Sequence, residues 1–190
     1  YLAWVVGSDS WARTMFSIQA VTQGLPDMGP FQQRYIDHPI LTMFHTIPGL
    51  LFVTLGPMQF MAPIRCRIPK IHRMSGRVYL VIGFSLGVAA ILMTFRFPMW
   101  GMTFNQVVGF VFGAFMLFAF AKAFLHVRAR RFPLHREWMI RGFATGLGVA
   151  LFRVLLNDVL PSMGFEFTPS WNIAMVICFP ILLAAAELWI

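Results

Sequence analysis

Five long apolar runs follow one another along this chain, parted by short polar stretches. The first extends from Pro39 to Ala62 and is interrupted by His45, Pro48, Gly56-Pro57 and Gln59. The second extends from Gly76 to Phe97, with no charge between Val78 and Phe95. The third covers Met102 to Leu125. The fourth covers Arg136 to Leu160 and carries Arg141, Arg153, Asn157 and Asp158. The fifth covers Ser170 to Ile190, with Glu187 near its end. A membrane-spanning helix needs about 20 mainly apolar residues, and each run supplies them. Hydrocarbon offers no water to an unpaired backbone group, so runs of this length must be helical. The alternating ten-residue segments of a membrane barrel are absent. The pattern therefore predicts an all-α, polytopic transmembrane helix bundle over residues 39–190, with five spans. Residues 1–38 mix Asp9, Arg13, Asp27, Arg34 and Asp37 with Gly and Pro breakers, and read as an outer-side extramembrane or interfacial segment. Ser10 to Val21 fits a short interfacial helix, and the apolar Tyr1 to Val6 fits the tail of a sixth, preceding span.

Composition agrees with the pattern. Of 190 residues, 58% are hydrophobic and 12% are charged, about half the charged share of a soluble domain. The net charge of +8 is local. Arg65, Arg67, Lys70, Arg73 and Arg77 lie in or beside the elbow after the first run. Lys122, Arg128, Arg130, Arg131, Arg136 and Arg141 lie in or beside the elbow after the third. Asp9, Asp27, Asp37, Asp158 and Glu166 fall on the opposite side. The positive-inside rule assigns both elbows to the cytoplasm. The excess charge reads as topology and head-group contact, with no basic-aromatic surface of the kind that nucleic acid needs. Cys66 and Cys178 fall at different depths, so no disulfide is expected between them. The absence of CxxC and CxxCH motifs leaves thiol metal sites and covalent haem unsupported.

Small residues recur four apart at Gly83/Gly87, Gly109/Gly113 and Gly142/Gly146, a spacing that lets helix backbones approach closely. Six phenylalanines between Phe110 and Phe124 crowd the third run on several faces. Polar groups at membrane depth fall into two levels. Gln59, Arg141 and Glu187 lie near the basic side, where Glu187 is expected to pair with Arg141 or Arg77. His45, Arg153, Asn157 and Arg96 lie near the other side, with Arg153 and Asn157 one turn apart. His72 and His135 begin the two helices that leave the basic elbows, so they share a depth. Two imidazoles facing each other there can hold one b-type haem, with Arg73, Arg77 and Arg136 available to its propionates. No tight His/Cys/carboxylate spacing marks a metal site, and no hydrolase, phosphate-loop or HExxH motif occurs.

The stretch His45-Thr-Ile-Pro-Gly-Leu-Leu-Phe-Val-Thr-Leu-Gly56-Pro57-Met-Gln59-Phe resembles one family of prokaryotic predicted membrane proteins, domain of unknown function 2306. So do the blocks His72-Arg73-Met-Ser-Gly76-Arg77-Val-Tyr79 and His135-Arg136-Glu-Trp138-Met139-Ile-Arg141, and the closing Ala186-Glu187. The resemblance covers about Asp37 to Glu187. It implies membrane residence and a helical fold and carries no activity with it; with both basic elbows cytoplasmic, the chain is expected in the bacterial inner membrane. Two functional readings remain open, the first ahead of the second. One is a non-catalytic accessory subunit, set in the lipid bilayer and packed against other subunits of a larger membrane complex. It is motivated by the Phe-rich third run, the small-residue seams and the missing enzyme motifs. The other is an electron-transfer subunit with one haem b between His72 and His135, and a quinone site lined by Gln59, Arg141 and Glu187. A small-solute transporter, lacking an internal repeat or paired broken helices, ranks below both.

Overall fold

The computed structural model describes residues 37–97 and 102–190, together with Trp11, Ala12 and Met15; the side chains of Met102 and Thr103 are not among those described. Most of the outer-side segment and of its expected interfacial helix lies outside the described residues. Helix α1 is Pro39–Phe60, the short α2 is Ala62–Arg67, α3 is Pro69–Arg96 and α4 is Met102–Arg128. Helix α5, Phe132–Val154, continues through a π turn at Leu155–Val159 and a last α turn at Leu160–Ser162. Helix α6 is Phe167–Trp189. Helices α1, α3, α4, α5 and α6 are each long and apolar enough to cross a membrane, as the five runs predict.

The spans begin earlier than hydropathy alone indicates. Pro69 stands at the start of α3 and Pro133 within the first two positions of α5. A proline there loses no hydrogen bond, because the first N–H groups of a helix have no partner inside it. The basic blocks around His72 and His135 are therefore first turns of helices, and the true bends are much shorter. Met61 and Ile68 leave helical geometry on either side of α2. The α4–α5 bend is Ala129–Arg131, where Arg130 takes φ 58° and the Arg131 N–H reaches back to the His126 carbonyl at 2.9 Å. That six-to-one bond with a left-handed residue is a Schellman closure. Gly164, at φ 85°, closes α5 in the same way, with the Phe165 N–H on the Leu160 carbonyl at 3.1 Å.

Burial is inverted relative to a water-soluble protein. On α1 the buried side includes Thr42, Thr46 and Gln59, while Ile40 is 81% exposed. Val81 on α3 is 69% exposed. Apolar groups facing outward along five such helices match hydrocarbon as the solvent. Helices adjacent in sequence pack side by side, and α6 lies against α5. Helices α3 and α5 flank α4 without packing closely on one another.

The core sits on an aromatic cluster. The Phe52 ring stacks on Tyr79 at 4.9 Å, and Phe120 meets Tyr79 edge-on at 6.0 Å. Phe120 is fully buried. It lies between Gly83 of α3 and Gly142 of α5, where an added Cβ would stand 2.6 Å and 3.0 Å from its ring. One turn further, the Gly87 position faces the Gly113 carbonyl at 3.3 Å. The glycine pairs are thus sockets that let helices close around a ring. The phenylalanines of α4 divide: Phe120 fills the core, Phe112 stacks on Phe179 at 4.2 Å, and Phe110 and Phe118 face outward.

Gly83→Val forces a branched side chain into the Phe120 ring. Its cost is expected at about 1–3 kcal/mol, the usual penalty of overpacking. Thermal unfolding in detergent should show a clear loss for Gly83→Val and almost none for the outward-facing Val81→Ala.

Candidate functional site: a basic cavity at one end of the bundle

Helices α3 and α5 run in the same direction, and each places a histidine at its fourth residue. The His72 N–H bonds to the Ile68 carbonyl at 3.2 Å, and the His135 N–H to the Arg131 carbonyl at 3.0 Å. Each is the backbone bond from the fourth residue to the residue preceding the helix, so the two histidines occupy equivalent register positions on their helices. Between them opens a cavity of about 1080 Å³. Its walls take His72, His135, Arg73, Arg77, Arg136 and Gln59 from the sequence-derived candidates, with apolar surface from Phe60, Phe124, Phe132 and Met139. Two further arginines line it, Arg65 from α2 and Arg128 from the end of α4.

The histidines are held differently. The His135 Nδ1 lies 2.9 Å from the Ala123 carbonyl oxygen. A carbonyl only accepts, so Nδ1 must carry the proton and Nε2 keeps its lone pair. The His72 Nδ1 is buried without a hydrogen-bond partner among the described residues. The two rings are within electrostatic reach of each other. Gln59 is anchored at the α1 wall, its Nε2 donating to the Ser75 Oγ at 2.8 Å. The Ser75 hydroxyl donates in turn to the Ile71 carbonyl, also at 2.8 Å.

The remaining polar candidates lie elsewhere. Arg141 forms a bidentate pair with Glu187, Nε to Oε1 at 2.6 Å and Nη2 to Oε2 at 2.9 Å. Its Nη1 stands 3.6 Å from Glu137, and the guanidinium lies 4.8 Å over the Trp138 ring. Of the two partners open to Glu187, the structure selects Arg141. The pair ties the end of α6 to α5 on a flank of the bundle and does not line the cavity, so Gln59 is parted from Arg141 and Glu187. His45 borders a smaller interior cavity of about 130 Å³, with Thr94 and Thr145. Arg153 is half-buried and Asn157 exposed, with the π turn beginning between them. Cys66 and Cys178 are both free, the first exposed and the second buried.

Sequence reasoning missed four contributors to these sites. Arg65 and Arg128 were assigned to topology alone. The Ala123 carbonyl and Ser75 are backbone-dependent partners that no residue type announces. An Asn105 to Asn172 bond at 2.9 Å joins α4 to α6 at the far end, and asparagines at such separation give no local signal.

Five helices among the described residues that are long and apolar enough to cross a membrane, packed as a bundle with an apolar exterior, define a multi-pass membrane protein with a cationic, histidine-bearing cavity at one end. The chain belongs to the family described as predicted membrane protein, domain of unknown function 2306, whose model matches residues 42–190. Comparison with curated proteins and with solved structures finds no match.

The Arg141 cluster yields its own expectation. Arg141→Ala leaves two carboxylates without their cation and should destabilise more than Glu187→Gln, which leaves Glu137 as a partner. For so exposed a pair the Glu187→Gln loss is expected at about 1 kcal/mol or less. Replacing both residues with apolar ones of similar size should cost less than Arg141→Ala alone. Thermal unfolding of the three variants in detergent checks the order.

Proposed function

We propose that the basic-end cavity holds one b-type haem and that the chain is an electron-transfer membrane protein. The observation that carries this reading is the pair of histidines at matched register on two parallel, non-adjacent helices, separated by a cavity. The residues present fit the group. His135 has Nδ1 committed to a carbonyl, which orients the ring and leaves Nε2 as a ligand atom; outer-shell bonds of this kind also raise ligand basicity. The buried Nδ1 of His72 has no hydrogen-bond partner among the described residues, which is compatible with a ligand at this ring. Arg73, Arg77 and Arg136 offer guanidinium groups to two propionates. Phe60, Phe124 and Met139 exclude water from the apolar part of the site. Bound iron would supply one-electron chemistry; this chain's residues bind, orient and shield it. The volume is at the upper limit of ordinary cofactor pockets, roughly 300–1,000 Å³.

The accessory-subunit reading has the outward-facing Phe110 and Phe118 in its favour, but lipid satisfies the same surface. A quinone bridging Gln59, Arg141 and Glu187 has less support, since Gln59 lies in the cavity wall and the ion pair lies on the flank.

The reading predicts a Soret band and a sharp reduced α-band when the purified protein is oxidised and then reduced with dithionite. His72→Ala and His135→Ala should each abolish or strongly shift the band while circular dichroism stays unchanged. A blank spectrum after reconstitution with hemin sinks the haem assignment.

The same reading puts the basic end in the cytoplasm of a bacterial cell, because cytoplasmic loops carry the excess of Lys and Arg. The exposed Cys66 on α2 reports on this. A membrane-impermeant maleimide should label it in inside-out vesicles and not in intact spheroplasts, with the buried Cys178 unlabelled in both. Labelling from the periplasmic side reverses the orientation.

A further inference from the structure

The cavity holds more positive charge than a haem would neutralise. Five arginines line it: Arg65, Arg73, Arg77, Arg128 and Arg136. The single carboxylate in its wall, Glu137, already stands 3.6 Å from Arg141. Two propionates would offset the charge of Arg73, Arg77 and Arg136 in part, and among the described residues no carboxylate pairs with Arg65 or Arg128.

Topology does not explain their placement. The positive-inside bias is served by Arg67, Lys70, Arg130 and Arg131, which belong to the same end and do not line the cavity. That bias counts charges near span ends and is indifferent to where they point. Five exposed guanidinium groups around one partly apolar cavity concentrate positive potential there. A cleft lined by charge of one sign raises the local concentration of a counter-ion. Arg128 is steadied by the Phe124 ring, 5.8 Å beneath its guanidinium. Arg65 is within electrostatic reach of His72. One cation thus comes from the short helix α2 and the other from the end of α4.

We infer that Arg65 and Arg128 form a second anion-binding locus in this cavity, for a ligand bearing a phosphate or paired carboxylates. Guanidinium forks match both groups bidentately. The ligand is either a free organic anion or the head group of an anionic lipid reaching in from the bilayer edge. The locus shares the cavity with the haem reading but does not rest on it.

The test is calorimetric titration of inorganic pyrophosphate into the full chain in neutral detergent. Saturable binding is expected. Arg65→Gln combined with Arg128→Gln should weaken it by roughly tenfold or more, since a charge-assisted hydrogen bond contributes about 1.5–3 kcal/mol. Both residues are exposed, so the fold should survive, with circular dichroism as the check. The control pair Lys70→Gln with Arg131→Gln removes the same charge from the same end outside the cavity, and should leave affinity within about twofold, as expected for distant, screened charges. Equal weakening by both pairs, or none by the first, overturns the inference. Repeating the titration in nanodiscs separates the sources. Loss of pyrophosphate binding in phosphatidylglycerol but not phosphatidylcholine assigns the locus to a lipid head group; retention in both assigns it to a free anion. His72→Ala with His135→Ala should still bind pyrophosphate, so a missing Soret band with binding intact removes the haem reading alone.

Discussion

The seating of one ring, Phe120 between Gly83 and Gly142, sets the spacing of three helices. Lipid supplies no hydrophobic drive for helices to associate, so their packing rests on close van der Waals fit. Phe120 is fully buried; a side chain at Gly83 would clash with its ring and one at Gly142 would crowd it. Helices α3 and α5 are therefore held on either side of α4, near enough to share a ring and too far apart to pack on each other. That gap is the origin of the cavity. Toward the basic end His72 and His135 line one cavity.

Depth is controlled by a different device. Each histidine is reached within one turn of a proline-opened helix start, and in each case the first turn is fixed by a bond to the residue just before the helix. Matching starts at matching distances from the bends give matching depths. The inverted burial of the bundle then sorts the polar groups. With hydrocarbon outside, Gln59, Thr145 and the imidazoles gain by facing inward, where they find Ser75, backbone carbonyls or the cavity. Arg141 and Glu187 sit close enough to the surface to neutralise each other on the flank, in a fork geometry that suits a shared boundary with water.

Much of this was legible beforehand. Period-free apolar runs of span length admit only helices in a membrane, and the clustering of Arg and Lys in two elbows fixes which ends lie together. His72 and His135 follow from those two facts, because both stand just after a basic elbow. The pairing of Glu187 with a cation followed from the cost of an isolated charge. The helix starts were less legible: hydropathy dims at a basic first turn, although Pro69 and Pro133 mark it. The roles of Arg65 and Arg128 were hidden, since a cation near a span end looks the same whether it faces a cavity or a lipid head group.

The sequence by itself determined the solvent, the five apolar spans among the described residues and the chemistry available at each end, because transfer free energies and backbone hydrogen bonding act locally along the chain. Only the tertiary structure decided that Gln59 belongs with the histidines while Arg141 belongs with Glu187, and that five arginines share one cavity. Those choices depend on which helix faces rotate toward one another. Rotation is set by the fit of Phe120, Phe52 and Tyr79 among glycines on other helices, a long-range constraint that no local pattern encodes.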